Sequence, residues 1–343
     1  MTNETRNEGQ AAALRVLYVV SRWNTFTKID REALAERFDV RDYYQPGTIP
    51  RLWDLIAKLR RTDVVYAWFA SWHSFAAVAV ARLLGKPSVL VVGGFDTSNL
   101  PGYGWQRGTI RRWVSRRTME LATRLITNSR HSLMEIETNV GLDPKRAAVI
   151  YHGLADRFAD PGEQARDRLV LSVGVVRKEN LWRKGHLSFV RAAAQLPDVQ
   201  FVLAGRWLDD AIDVLRREAG ENVDFPGYLP DDGLDHLFRR AAVYVQASRH
   251  EGFGLSLAEA MLAGCVPVVT DAGALPEVVG DVGVMIAEPT PELIADGVRR
   301  ALEIGRQEGA RARARVLEKF PLRPRAEGLW REVDAAGRGE RSG

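Results

Sequence analysis

The sequence has little of what staples or ligates. It holds one cysteine, Cys265, so no disulfide can form within the chain, which suits a reducing cytosol. Cys265 precedes the strand-like VPVV and reads as a small buried apolar residue. The histidines and the cysteine form no cluster with metal-ligand spacing, and there is no Asp-x-Asp pair, so no metal is expected. Long apolar runs are missing too. The nearest, VVYAWFASWHSFAAVAVA at 64–81, carries no Asp, Glu, Lys or Arg and just reaches membrane-spanning length. Its middle, SWHS, is polar, so it reads as a buried strand, a turn and a buried helix beginning near Ser74. The opening MTNETRNEGQ lacks the apolar core of a secretory signal. Charge of one sign is not in excess: 48 Lys and Arg against 44 Asp and Glu leave +4, too little to argue for a nucleic-acid partner. A cytoplasmic protein is expected.

What is present is an ordinary globular composition, 46% hydrophobic and 27% charged, in a chain of 343 residues. That length is too great for one small core and implies two domains. Short apolar runs alternate with helix-length segments. The first half shows RVLYVV, VVYAWF, SVLVVGG, RLITNS and AAVIYHG. The second shows RLVLSVGVV, VQFVLAG, VDFPGY, AAVYVQAS, VPVVTDAG and VGVMIA. Continuous Val/Ile/Leu runs separated by helices imply parallel sheets buried on both faces. The pattern restarts near residue 168, after the polar ADRFADPGEQARD, with a junction expected near 155–167. The fold class is therefore α/β, with two doubly wound domains. Near the C-terminus, Pro321 and Pro324 are expected to break the preceding helix. A last helix with Leu329, Trp330 and Val333 as its apolar face would pack back on the first domain.

In such sheets ligands sit beyond the carboxyl ends of the strands, so the segment after AAVYVQAS matters. It reads RHEGFGLSLAEAMLAG, with Glu251 and Glu259 eight positions apart. Eight helical residues span about 12 Å, whereas carboxylates acting together on one glycosidic bond sit about 5 to 10 Å apart. The better fit is one long ligand with hydroxyl groups at both ends, such as a nucleotide sugar, because carboxylates accept strong hydrogen bonds from vicinal hydroxyls. Gly252 and Gly254 let backbone approach closely, and the amides of Phe253, Gly254 and Leu255 at the helix start would face an anion. The plainer alternative is a tight strand-to-helix turn with two solvated glutamates.

A second element follows RLVLSVGVV. Arg177, Lys178, Arg183 and Lys184 cluster between a strand end and a helix start. Lys184, followed by Gly185, can meet a phosphate as a point charge, and Arg177 can bind one bidentately. With the glutamate segment this describes a diphosphate clamp; taken alone it would also suit a solvated basic loop.

These segments resemble the donor domain of retaining glycosyltransferases with the GT-B fold, family 4, the glycosyl transferases group 1. The residues that carry the resemblance are HEGFGLSLAEAMLAGCVPVV, an E-x7-E motif, then TDAGALPEVVG, with RKGHLSFVRAAAQLPDVQFVLAG and VDFPGYLPDDGLDHLFRRAAVYVQAS upstream. It covers about 168–290. The resemblance implies two Rossmann-like domains facing a cleft: an acceptor-side domain at 1–160, joined by a crossover helix at 321–343, and a donor domain at 161–320. It implies that Glu251 contacts the sugar hydroxyls and Glu259 the ribose, and that Lys184 and Arg177 bind the diphosphate. Arg183 rivals Arg177, because seven positions separate Arg177 from Lys184. Gly227, Tyr228 and Leu229 are candidates to hold the base, and Gly273 and Glu277 to approach the sugar. The mechanism implied is front-face transfer with retention, in which the leaving diphosphate takes the acceptor's proton. It needs no cofactor beyond the nucleotide-sugar co-substrate and no metal.

The first half departs from the family pattern. SRWNTFTKID carries no glycine where a Gly-Gly loop is usual, and VVGGFDTSN has Asp96 where a histidine often stands. Gly93, Gly94, Asp96 and His73 are candidates for the acceptor side of the cleft, although Asp96 also suits a turn cap and His73 a packed or capping histidine. The stretch RGTIRRWVSRRTMELATR, at 107–124, is basic with apolar Ile110, Trp113, Val114 and Met119. Such a helix can lie on anionic lipid, giving peripheral contact with the inner membrane face, or can be a solvated basic surface. The expected function is transfer of a sugar from a UDP- or GDP-sugar to a glycan, a lipid-linked sugar or a small molecule, in cell-surface glycan, glycolipid or polysaccharide biosynthesis. The rivals are a sugar-nucleotide epimerase or hydrolase on the same plan, and a non-catalytic nucleotide-sugar-binding subunit.

Overall fold

The computed structural model describes residues 13–158 and 166–340. The opening decapeptide and most of the expected 155–167 junction, including its 160/161 boundary, lie outside the described residues. The strands in chain order are β1 (Arg15–Val20), β2 (Asp39–Tyr44), β3 (Val64–Trp68), β4 (Ser88–Val92), β5 (Arg124–Thr127), β6 (Ala147–Val149), β7 (Asp167–Val173), β8 (Gln200–Ala204), β9 (Val223–Gly227), β10 (Ala241–Gln246), β11 (Val266–Thr270) and β12 (Val284–Ile286). They form two six-stranded sheets, ordered β2-β1-β3-β4-β5-β6 and β12-β11-β10-β7-β8-β9. The pairings of β1 with β2 and β3, and of β10 with β7 and β11, are parallel.

β2 escaped the sequence reading, and its composition explains why. DVRDYY alternates charged and aromatic residues, and as an edge strand it buries little besides Tyr43. The other eleven strands lie in the apolar runs. In the second sheet the runs are continuous because both faces are covered. On β7, Leu169 and Leu171 enter one core and Val170 the other. On β8, Val202 and Ala204 oppose Phe201 and Leu203 in the same way.

By its contacts the chain divides into two compact units, one of residues up to Val91, Trp113–Ile126 and from Ala326 on, the other of Val92–Arg112 and Thr127–Arg325. In the first unit, the stretch at 64–81 is β3, a short bend and the helix Trp72–Leu83. The helix starts two residues before Ser74, which instead occupies its first turn. No helix of the described residues is long and apolar enough to cross a membrane. The final helix, Leu322–Gly337, starts directly after Pro321 and takes Pro324 into its first turn. Pro324 thus breaks nothing, since first-turn amides need no intrahelical acceptor. Leu329, Trp330 and Val333 are buried, and the Trp330 indole N–H donates to the Ala33 carbonyl at 2.7 Å.

Candidate active site in the second unit

Two strand ends carry the site, those of β7 and β10. The chain leaving β7 forms the short helix Lys178–Arg183, then Lys184, then Gly185, then the helix His186–Ala192. Gly185 takes φ of 67°, and a Cβ there would stand 2.2 Å from the Ala247 carbonyl oxygen. Only glycine lets this turn press against the segment leaving β10. That segment carries Glu251, so the close approach brings Lys184 to it.

The Lys184 Nζ donates to Glu251 Oε1 at 3.0 Å. The same oxygen accepts from the Gln246 amide at 2.9 Å and the Ser248 hydroxyl at 2.8 Å. Burial alone would raise the Glu251 carboxyl, but Lys184 and Arg183, with the Ser248 hydroxyl, pull it down to about 2. It is a fixed anion. Its backbone is fixed as well: the Ala274 amide donates to the Glu251 carbonyl at 2.9 Å. Gly273, at φ of 60°, would place a Cβ 2.5 Å from that carbonyl oxygen. Gly252 and Gly94 face each other, each leaving about a methyl's clearance or less, with a Cβ on Gly252 reaching 3.0 Å from the Gly94 Cα.

The three expected cations part company. Lys184 meets Glu251. Arg183 is buried, donates to the Asn180 side chain and to the His250 carbonyl at 3.2 Å, and lies over the Tyr103 ring at 4.2 Å. Arg177 is partly exposed and turns to its neighbour Glu179. Positive charge beside Glu251 therefore comes from Lys184 and Arg183.

Glu259 lies on the helix Leu255–Leu262, entered through Gly254 at φ of 98°. Its carboxylate accepts from Arg157 at 3.0 Å, and Arg157 also donates to Asp235 at 2.8 Å. Burial raises the Glu259 carboxyl, against the pull of Arg157. Phe253 is a core residue, packed against His152 and Phe320 with ring centroids 5.1 and 5.3 Å away. Leu255 is half-buried at the helix start.

The loop after β9 holds Gly227, Tyr228 and Leu229. Gly227 has φ of 75° and lies against the Trp207 ring, and the Gly205 amide donates to its carbonyl at 2.8 Å. Tyr228 is exposed, with the Arg206 guanidinium 4.3 Å from its ring centroid.

Three further candidates are occupied locally. Asp96 is buried and closes a turn by accepting the Gly93 amide at 3.0 Å. His73, in the first unit, is buried between the Trp68 carbonyl and the Ser71 hydroxyl, 2.8 and 2.7 Å away, and burial lowers it to about 4. Glu277 accepts the Arg130 and His131 amides at 2.9 and 2.7 Å and the Tyr151 hydroxyl at 2.9 Å, so it caps a helix start.

Sequence reasoning missed Gln246, Ser248, Asn180, Tyr103 and Arg157. Gln246 and Ser248 had a readable signal: polar residues where a buried apolar strand ends and the loop carrying Glu251 begins. Arg157 lies in the polar joining segment and had none.

Two family models match successive stretches: Glycosyltransferase Family 4 over 14–157 and Glycosyl transferases group 1 over 155–316. Together the two models cover 14–316, and the chain is a glycosyltransferase whose second half matches the group 1 model. O-antigen chain mannosyltransferase B of Escherichia coli is 40% identical over 85 residues, 24% of this chain and 22% of that one. Alpha-maltose-1-phosphate synthase of Mycolicibacterium smegmatis is 27% identical over 314 residues, 77% of this chain and 78% of that one. The match thus spans less than a quarter of the first relative and more than three-quarters of the second. Among solved structures, Anabaena HepE, crystallised with UDP and glucose, superposes with a TM-score of 0.77 at 17% identity, over 94% of this chain and 100% of that one. The chain therefore has the GT-B fold, as the resemblance implied.

Proposed function

We propose that the chain transfers a sugar from a nucleotide-diphosphate sugar, a UDP- or GDP-sugar, to an acceptor hydroxyl, with retention at the anomeric carbon. The observation that carries this is the meeting of Lys184 with the fixed anion Glu251, beside bare glycine backbone. Glu251 accepts hydrogen bonds from the donor sugar's hydroxyls, and Glu259 from the ribose. Lys184 faces the diphosphate, with Arg183 reinforcing the local positive charge from beneath. Gly227, Tyr228 and Leu229 border the base. As the bond from the anomeric carbon to the diphosphate oxygen breaks, the acceptor oxygen bonds to the same carbon. The acceptor's proton passes to the departing phosphate oxygen. Charge grows on that diphosphate, and a preorganised cation stabilises it without reorganisation. This assignment gives the transfer step to protein groups and needs no metal in it.

The same reading places the acceptor as a glycan, a lipid-linked sugar or a small molecule. A lipid-linked acceptor would suit the helix Thr109–Leu121, whose Ile110 and Trp113 are exposed among arginines. Cosedimentation with anionic vesicles tests that contact, and equal recovery with neutral vesicles would end it.

The decisive experiment is a thermal-shift panel of UDP-, GDP- and ADP-sugars, followed by turnover with and without acceptors. A ligand that binds only the folded chain raises its melting temperature. Turnover without acceptor would indicate an epimerase or hydrolase; binding with no turnover under any condition would indicate a non-catalytic subunit.

A further inference from the structure

Next to the Glu251 loop, in the same unit, lies a group that the proposed transfer does not use. His250 stands 115 positions from Glu135 in the sequence, yet its Nε2 lies 2.9 Å from Glu135 Oε1. His131 Nε2 lies 3.7 Å from the same oxygen. One ligand atom from each of His131, Glu135 and His250 falls within 4.8 Å of the other two. Tetrahedral zinc with bonds of about 2.0–2.1 Å sets its ligand atoms about 3.3 Å apart, and the two measured edges bracket that spacing.

Two features agree with a cation there. The buried His131 Nε2 has no hydrogen-bond partner among the described residues, and coordination would satisfy it. The second Glu135 oxygen accepts from the Thr97 hydroxyl at 2.7 Å, the kind of outer hydrogen bond that orients a ligating carboxylate. Reading the sequence for metal spacing could not find this set, because His131 and Glu135 are one turn apart on a helix and the third member comes from a distant loop.

We propose that His131, Glu135 and His250 form a two-histidine, one-carboxylate site for a zinc-type divalent cation. Imidazole nitrogen and carboxylate oxygen suit zinc over magnesium or calcium, which prefer oxygen alone. Bound there, the ion would tie the helix Arg130–Glu135 to the backbone at His250, one residue before Glu251. The site adjoins the donor clamp, since Arg183 donates to the His250 carbonyl, but its test requires no sugar transfer.

The experiment uses the full chain, stripped with a chelator and titrated with zinc or magnesium sulfate, read by melting temperature and by retained metal. Zinc raises the melting temperature and is retained in stoichiometric amount, while magnesium does neither. His131 is partly exposed, so His131→Asn keeps the metal-free fold, checked by circular dichroism, and loses the zinc shift. Thr97→Val, which frees the carboxylate, weakens zinc binding by about 10- to 100-fold. No zinc shift in the native chain, or an equal shift in His131→Asn, would overturn the proposal.

Discussion

Lys184 Nζ stands 3.0 Å from Glu251 Oε1, and both side chains are largely shielded from solvent. The pair holds two opposite charges where the strand ends of β7 and β10 converge. Glu251→Gln keeps the shape and removes the charge. It leaves Lys184 unpaired and costs up to about 3 kcal/mol in stability, read by urea unfolding. It lowers kcat by at least about 100-fold, as loss of a transition-state contact does. Glu259→Gln behaves differently: on the proposed reading it meets the donor far from the reacting carbon, so it raises the donor KM with little change in kcat. Near-normal kcat in the first variant would remove Glu251 from the transfer step.

Much of this was legible before the structure. Buried parallel strands read as continuous apolar runs, and these placed all six strands of the second sheet. The E-x7-E segment and the Arg…Lys-Gly segment pointed to the two loops that do come together. The polar edge strand β2 was lost because edge strands need no apolar run. The fates of Arg177 and Arg183 were also hidden. Side chains six positions apart bracket a short helix, and which one turns inward depends on Asn180 and the His250 carbonyl, contacts that spacing does not encode. Asp96 read as either a cleft contact or a turn cap, and it does accept the Gly93 amide, whereas nothing in the letters placed the Arg130 and His131 amides on Glu277, a candidate to approach the sugar.

Gly273 gives a test of backbone rather than charge. Its φ of 60° disfavours any side chain, and a Cβ would press on the Glu251 carbonyl oxygen at 2.5 Å. Gly273→Ala therefore shifts the Glu251 loop. It costs about 1–3 kcal/mol in stability and lowers kcat/KM while the circular dichroism spectrum is retained. Activity equal to that of the parent chain would show that the loop tolerates displacement.

Acid sensitivity follows from buried histidines. Burial holds His152 well below its ordinary value. Burial lowers His73 to about 4 and His186 to about 3, from an ordinary 6.5. In both cases the unfolded chain takes up a proton that the folded chain refuses. The stabilisation is complete above pH 6.5 and is lost as pH falls toward those lower values. His73 alone accounts for about 3 kcal/mol across that window, at about 1.4 kcal/mol per pK unit. Glu251, held near 2 against an ordinary 4.5, adds to the loss only below pH 4.5. Unfolding free energies measured at successive pH values show the decline, and His73→Gln flattens its upper part. An unchanged slope in that variant would place the proton uptake elsewhere.

Arg157 controls Glu259 from outside the motif. Its guanidinium donates to Glu259 at 3.0 Å and to Asp235 at 2.8 Å, and so opposes the burial that raises the Glu259 carboxyl. Arg157→Ala removes that opposition, leaving Asp235 and Asp231 to raise the carboxyl further. Glu259 then takes up its proton at a higher pH, and a protonated carboxyl accepts hydrogen bonds from ribose hydroxyls poorly. The upturn of the donor KM on acidification moves to higher pH, while kcat stays close to that of the parent. Arg157→Lys keeps the charge but not the forked geometry, so its profile falls between the two. Superimposable KM profiles for parent and Arg157→Ala would mean that Glu259 does not touch the donor.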